Sequence, residues 1–272
     1  MIVNSNMALI VPKYLDCVVA IGVDNPTNVG TKNWIGTGFL VGYHDNTMAA
    51  DKCNVYIVSN KHVFEGNRVV YLKFNPQGGQ PAKDYKLDLV DAAGNRLYKQ
   101  HPNPNVDVAV ELINAPLLQR DGIIVSFFVL GQESYTIADL KNIGTTEGDG
   151  VFVLGYPMGF IGTTRQYVIL RSGAIARIHD MIEGHSSDYI IDAFVFPGNS
   201  GGPVIIIPEI TSIQGTQHNI SSRLIGVVKS YIPYRDVAIS PQTNRARVVF
   251  EENTGLTNVE PVDYIIQTIQ QP

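Results

Sequence analysis

The chain is poor in several things, and each shortage narrows what it can be. Only two of its 272 residues are cysteines, Cys17 and Cys53, so no disulfide framework can substitute for a core, and both read as free thiols rather than a bridge. Charged residues are 17% of the total, and 20 Lys and Arg stand against 25 Asp and Glu. A net charge of -5 with no basic cluster argues against nucleic acid as the main partner. No apolar run reaches the ~20 residues that a membrane helix needs, so no membrane partner is expected. The first ten residues have a short apolar stretch but no basic region before it, which makes a poor secretory signal. The localisation expected on this basis is cytoplasmic. No segment has a fixed repeat or low complexity, and no appended binding domain is expected after the last helical stretch.

What is present is a long series of short β-branched and aromatic runs. The first set covers 17–23, 38–41, 54–59, 68–74 and 106–113; the second covers 150–154, 166–178, 188–194, 203–207, 224–231 and 247–250. Turn-rich segments such as Asn75-Pro76-Gln77-Gly78-Gly79 separate them. Two sets of about six short strands predict an all-β chain of two packed barrels rather than alternating βαβ units. The expected layout is an N-terminal barrel over 13–115, a connection over 116–148 with one short helix at 137–143, a C-terminal barrel over 149–258 and a helix over 259–270. Pro261 with apolar Val262, Ile265, Ile266 and Ile269 gives that last helix an apolar face.

The densest chemical signal is 196–204, Phe-Pro-Gly-Asn-Ser-Gly-Gly-Pro-Val. Ser200 lies among glycines that permit a sharp turn, ahead of an apolar strand. A serine displayed this way, with the N–H groups of Gly198 and Ser200 aimed at one point, meets the requirement for an acyl-transfer nucleophile with an oxyanion hole. Alone, the stretch would also fit a glycine-rich hairpin with a surface serine. An activated serine needs a base and the base needs an orienting carboxylate. His62 directly follows the apolar run 54–59, and histidine is the usual general base near neutral pH. Asp107 opens the run Val-Ala-Val, where a carboxylate must be paired to be tolerated. Asp84, Asp88 and Asp91 are rivals in more polar surroundings. His179 and His185, with Asp180 and Glu183, read as a solvated hairpin tip rather than a metal site, and His44, His101 and His218 fall in polar loops without ligand spacing. No metal and no cofactor are expected.

His62, Asp107 and Ser200, in this order, resemble the chymotrypsin-like serine peptidases, and more closely the trypsin-like domain of the bacterial HtrA (Deg) branch. The resemblance covers about residues 15–270. It is carried by Trp34-Ile35-Gly36-Thr37-Gly38-Phe39, Val58-Ser59-Asn60-Lys61-His62-Val63, Asp107-Val108-Ala109-Val110, Leu154-Gly155-Tyr156-Pro157, Ser172-Gly173-Ala174-Ile175 and 192–203. It implies two six-stranded antiparallel barrels with the site between them, and a serine endopeptidase acting on protein or peptide. Ser200 would be the nucleophile, His62 the base, Asp107 its orienting partner, and Gly198 and Ser200 the oxyanion hole. Phe194 would lie near the floor of the primary specificity pocket, which predicts apolar rather than basic preference. Lys229, Ser230 and Tyr231 match the strand that pairs with the substrate backbone. Asn199 has no charge to pair with a freed N-terminus, so no such activation is expected. A different reading is a protease-fold peptide-binding or sensor module, latent or inactive until a partner acts on it.

Overall fold

In a computed structural model of the chain, the described residues are 9–45, 49, 52–209 and 219–271. The leader reading of the first eight residues and the loop placement of His218 lie outside them. The described residues are mostly β-strand, as the run pattern predicts. The first half contains β1 (Val18–Asp24), β2 (Lys32–Tyr43), β3 (Asn54–Ser59), β4 (Val69–Phe74), β5 (Lys83–Asp88), β6 (Lys99–Gln100), β7 (Ala109–Leu112) and β8 (Phe128–Val129). The second contains β9 (Gly150–Gly155), β10 (Ile169–Arg177), β11 (Tyr189–Asp192), β12 (Pro203–Ile206), β13 (Arg223–Ile239) and β14 (Ala246–Pro261).

The second half closes into a six-stranded barrel in the order β10-β11-β14-β13-β12-β9. The first forms one eight-stranded sheet in the order β5-β4-β1-β2-β3-β7-β6, with β8 pairing parallel to β2. Its ladder does not close between β5 and β6. The polar turn after β5 spans that gap, with the Leu97 N–H on the Leu89 carbonyl and a bridge between Val90 and Arg96. β8 comes from the connection between the halves, so that connection also completes the first sheet.

β-Branched residues fill both faces of the central strands. Val18 to Ile21 of β1 and all of β12 are buried, as befits strands covered on two sides. Three apolar cores result. One lies inside the first sheet around Ile21, Leu40, Ile57 and Phe64. A second lies inside the barrel around Val153, Ile191, Val204 and Val259. The third joins Tyr14, Phe39 and Val58 of the first half to Leu154, Tyr156 and Val227 of the second, with Val262 and Ile265 of the C-terminal helix. That helix, Val262–Ile269, starts directly after Pro261, as the sequence predicts. It sits on the first half, where His101, buried rather than in an open loop, meets Gln267 Oε1 at 2.9 Å. The helix expected at 137–143 is Ile137–Asn142, started by a Thr136–Asp139 capping box.

β13 and β14 differ from expectation. They run on past the barrel as a two-stranded ribbon, paired as far as Ile239 with Ala246. Pro233 has no ladder N–H, and the register slips between Tyr231 and Pro233, so the pairing continues around it. Both cysteines are free, Cys17 buried and Cys53 half-buried. Burial pushes the Cys17 thiol well above its ordinary range, so it is inert at neutral pH.

β7 gives the fold a measurable pH dependence. Glu111, half-buried opposite Ile57 of β3, has its carboxyl raised by burial to about 7. A folded-state value above the unfolded one means that the contribution is full below the unfolded value and is lost as pH rises through about 7. Glu111→Gln should therefore match wild type near pH 4 and exceed it by about 1–3 kcal/mol near pH 8, read by urea unfolding at both pH values. A difference that does not change with pH would show that the carboxyl is not held protonated.

Candidate active site

The fold brings the ends of β3 and β7 together with the loop before β12. His62 lies three residues beyond β3, in the short helix Lys61–Phe64. Asp107 precedes β7, whose Ala109 pairs with Ser59. The Asp107 carboxylate accepts twice from His62: Oδ2 from the ring Nδ1 at 2.5 Å and Oδ1 from the backbone N–H at 3.2 Å. An ionised carboxylate can only accept, so Nδ1 carries the proton and Nε2 keeps its lone pair. Asn60 Nδ2 holds the Asp107 carbonyl at 2.7 Å, and the Lys61 ammonium donates to the Asn103 carbonyl at 2.8 Å. The His62 side chain is 49% exposed and the Asp107 side chain 20%, so the carboxylate is shielded while the ring faces solvent.

The loop at 196–202 is held from the first half by Thr37, a fully buried residue of β2. Thr37 N–H donates to the Ser200 carbonyl at 2.9 Å and Thr37 Oγ1 to the Gly198 carbonyl at 2.6 Å. The same Oγ1 accepts from Tyr156 N–H at 3.0 Å, and the Thr37 carbonyl accepts from Ser59 Oγ at 2.8 Å. Ser59 thus links the strand that leads to His62 with the strand that holds Ser200.

Two glycines of the loop are required by geometry. Gly198 has φ of +98°, and a Cβ there would lie 2.4 Å from the Tyr156 carbonyl oxygen. Gly201 has φ of +82°, and its Cβ would lie 2.2 Å from both Ser59 Oγ and the Thr37 carbonyl oxygen. Asn199 is buried and bonds within the loop, its N–H on the Phe196 carbonyl and its Oδ1 on Phe196 N–H.

The backbone just before the serine has a defined orientation. The Pro197 carbonyl accepts from Met158 N–H at 2.5 Å. The peptide is trans and planar, so the Gly198 N–H points the opposite way. Among the described residues, neither Gly198 N–H nor Ser200 N–H donates to a protein acceptor. Met158 itself has φ of +54°, an uncommon conformation for a residue with a Cβ.

Other residues singled out in the sequence take varied places. Among the described residues, no hydrogen bond joins the Ser200 hydroxyl to the His62 ring. Phe194 is 52% exposed, with its ring edge against Gly255. Lys229 turns into the protein and pairs with Asp188 and Glu260, whereas Ser230 is exposed and Tyr231 bonds Glu251. Asp84 and Asp88 pair with lysines, Lys73 and Lys86, and Asp91 caps its own turn through Asn95. His179 lies in a short helix and is clasped by Glu147, at 2.5 Å from Nδ1. Residue pattern alone did not single out Thr37 or Glu260; a threonine inside an apolar strand and a glutamate at the end of another were the only hints.

Comparison with known proteins follows the same lines. A family model described as the trypsin-like peptidase domain matches residues 36–206, which include His62, Asp107 and Ser200. A probable periplasmic serine endoprotease DegP-like from Marinomonas sp. (strain MWYL1) is 23% identical over 207 residues, 76% of this chain and 34% of that protein. The chain therefore spans about a third of the length of that relative, by the same 34%. The MamO protease domain from Magnetospirillum magneticum, in its apo form, has a similar fold at a TM-score of 0.50 and 14% identity, over 95% of this chain and 98% of that one. The HtrA-type protease AlgW with decapeptide aligns at a TM-score of 0.45 and 16% identity, over 95% of this chain and 65% of that one.

The Thr37 arrangement has a direct test. Thr37→Val keeps the shape but leaves the Gly198 carbonyl and Tyr156 N–H buried without a partner, which should cost about 2–4 kcal/mol in urea unfolding. Thr37→Ser keeps the hydroxyl and should lose about 1 kcal/mol or less. A valine variant as stable as wild type would show that these bonds do not hold the loop.

Proposed function

The chain belongs to the trypsin-like peptidase domain family, and we propose that it is a serine endopeptidase acting through Ser200, His62 and Asp107. The fold is that of a trypsin-like serine protease of the HtrA type, and the family acts on proteins and peptides. The observation that carries the finer reading is the double clasp of Asp107 on His62, beside a glycine-rich serine loop with two unengaged N–H groups.

The chemistry follows from those groups. Ser200 Oγ attacks the scissile carbonyl while His62 Nε2 takes its proton. The ring is then a cation, and Asp107 stabilises it without accepting the proton. Negative charge on the former carbonyl oxygen is met by the N–H groups of Gly198 and Ser200, each donor worth about 3 kcal/mol in the transition state. His62 returns the proton to the leaving amine, which departs and leaves an acyl-enzyme on Ser200. Water, activated by the same histidine, releases the acid and restores the serine.

Phe194 offers no charge to bind a Lys or Arg side chain, and its half-exposed ring favours a small or medium apolar residue before the cleaved bond. Backbone pairing of the substrate with residues 229–231 of β13 completes the reading. A protease-fold module that binds peptide without turnover is favoured by one observation, the absence among the described residues of a bond between Ser200 and His62. Such bonds are often long before substrate binds, so the active reading is preferred.

A fluorophosphonate probe should label wild type and leave Ser200→Ala unlabelled; equal labelling of both defeats the assignment. On a peptide library, cleavage after apolar residues should exceed cleavage after Lys or Arg at least about tenfold in kcat/KM. A wild type that cleaves nothing, alongside a Ser200→Ala variant that binds peptide as well as wild type does, would favour the binding module.

A further inference from the structure

The loop that carries Asp107 is gripped from the other half of the molecule by a buried ion pair. Glu260, the residue before the end of β14, has no exposed surface. Its Oε1 accepts from Asp107 N–H at 2.9 Å and lies 3.0 Å from Lys229 Nζ. Lys229, on neighbouring β13, also donates to the Asn105 carbonyl at 3.0 Å and meets Asp188 Oδ2 at 3.1 Å. Two points of the Asp107 loop, the carbonyl of 105 and the N–H of 107, are therefore bound to one charged pair of the barrel.

Burying a carboxylate is costly, and a partner and hydrogen bonds must offset the cost. A simple packing role would be served as well by apolar residues of similar volume. Here the carboxylate is spent on one backbone N–H, that of the residue that clasps His62. The second oxygen, Oε2, is buried with no protein partner, so the contact with Asp107 is made by the same oxygen that meets Lys229.

We propose that Lys229 and Glu260 are positioning residues through which the barrel sets the placement of Asp107 and so the orientation of the His62 ring. The proposal rests on the peptidase reading, in which Asp107 orients the base. Neither side chain touches substrate or the reacting atoms; Lys229 would meet substrate through its backbone alone, which the substitutions keep. Their effect passes through the 105–107 backbone, and a ring rotated away from Ser200 slows chemistry without weakening substrate binding.

The double variant Lys229→Met/Glu260→Gln removes both charges together, so no ion is left at the fully buried position 260; Asp188 loses its lysine but is partly exposed and keeps the Ser186 hydroxyl, so this variant carries the test. Lys229→Arg, which keeps the charge and can reach the same oxygens, is the conservative control. Circular dichroism and thermal unfolding first confirm that each is folded. The readouts are kcat and KM on a cleaved peptide, and the NMR resonance of the His62 Nδ1 proton with its exchange rate with water. In the folded double variant kcat should fall about tenfold or more with KM unchanged. The Nδ1 proton should exchange faster or move upfield, and the separate Lys229→Arg variant should keep both readouts near wild type. A folded double variant with the wild-type resonance, exchange rate and kcat overturns the proposal. A wild type without turnover whose Nδ1 resonance still responds to the double substitution overturns the peptidase reading and leaves the positioning of Asp107 standing.

Discussion

Thr37 joins two halves of the molecule at the point where the serine loop is shaped. One buried residue supplies a backbone N–H and a hydroxyl to two carbonyls of that loop, and its own carbonyl is tied to the strand that leads to His62. The glycines at 198 and 201 take their meaning from this arrangement. Their backbones run so close to Tyr156, Ser59 and Thr37 that a Cβ at either position would overlap a backbone or hydroxyl oxygen. A glycine-rich segment is flexible in an unfolded chain, and here packing and hydrogen bonds remove that freedom. The serine is therefore presented by a loop whose shape depends on the neighbouring half.

The dependence runs in both directions. The first half holds the serine loop through Thr37, and the barrel holds the Asp107 loop through Lys229 and Glu260. Between these braces lies an apolar core built from both halves, closed by the C-terminal helix. Movement of one half against the other would disturb the carboxylate and the serine together. The clasp of histidine by carboxylate does not by itself define a reactive centre, because His179 and Glu147 repeat it on the barrel surface. There burial raises the Glu147 carboxyl, but N–H groups of Ile178 and His179 and the His179 ring more than offset this and hold it at about 2. No serine loop of the 196–202 kind accompanies that pair among the described residues. What separates His62 from His179 is that the strand before it is tied, through Ser59 and Thr37, to the 196–202 loop.

Much of this was legible in the residues because its determinants are local. Alternating or continuous β-branched runs marked most of the strands, Pro261 marked the start of the last helix, and the glycines around Ser200 marked a turn. His62 and Asp107 stood out because each sits where an apolar run begins or ends. The remainder depends on contacts distant in sequence. Thr37 lies 161 residues from Gly198, and Glu260 lies 153 from Asp107, so no spacing rule connects them. The ribbon of β13 and β14 was hidden by Pro233 and by charged side chains whose partners lie across the strand, as Arg235 and Glu251 do. The unclosed first ladder was hidden for a related reason, since β6 and β8 are two residues long and carry no pattern.

The orientation of the Pro197–Gly198 peptide is the most finely balanced part of the site. The Met158 N–H holds the Pro197 carbonyl, which turns the Gly198 N–H away from Met158, and no other bond in the loop fixes that peptide. Met158 has a left-handed backbone, a conformation that costs of order 1 kcal/mol for a residue with a Cβ. One net backbone hydrogen bond is worth about as much. This peptide is thus held by one hydrogen bond at its carbonyl, whereas the flanking carbonyls of Gly198 and Ser200 are held firmly by a buried threonine. A loop anchored on both sides in this way takes its shape from the two carbonyls that a buried threonine holds, and the single bond at Pro197 decides only which way the Gly198 N–H faces.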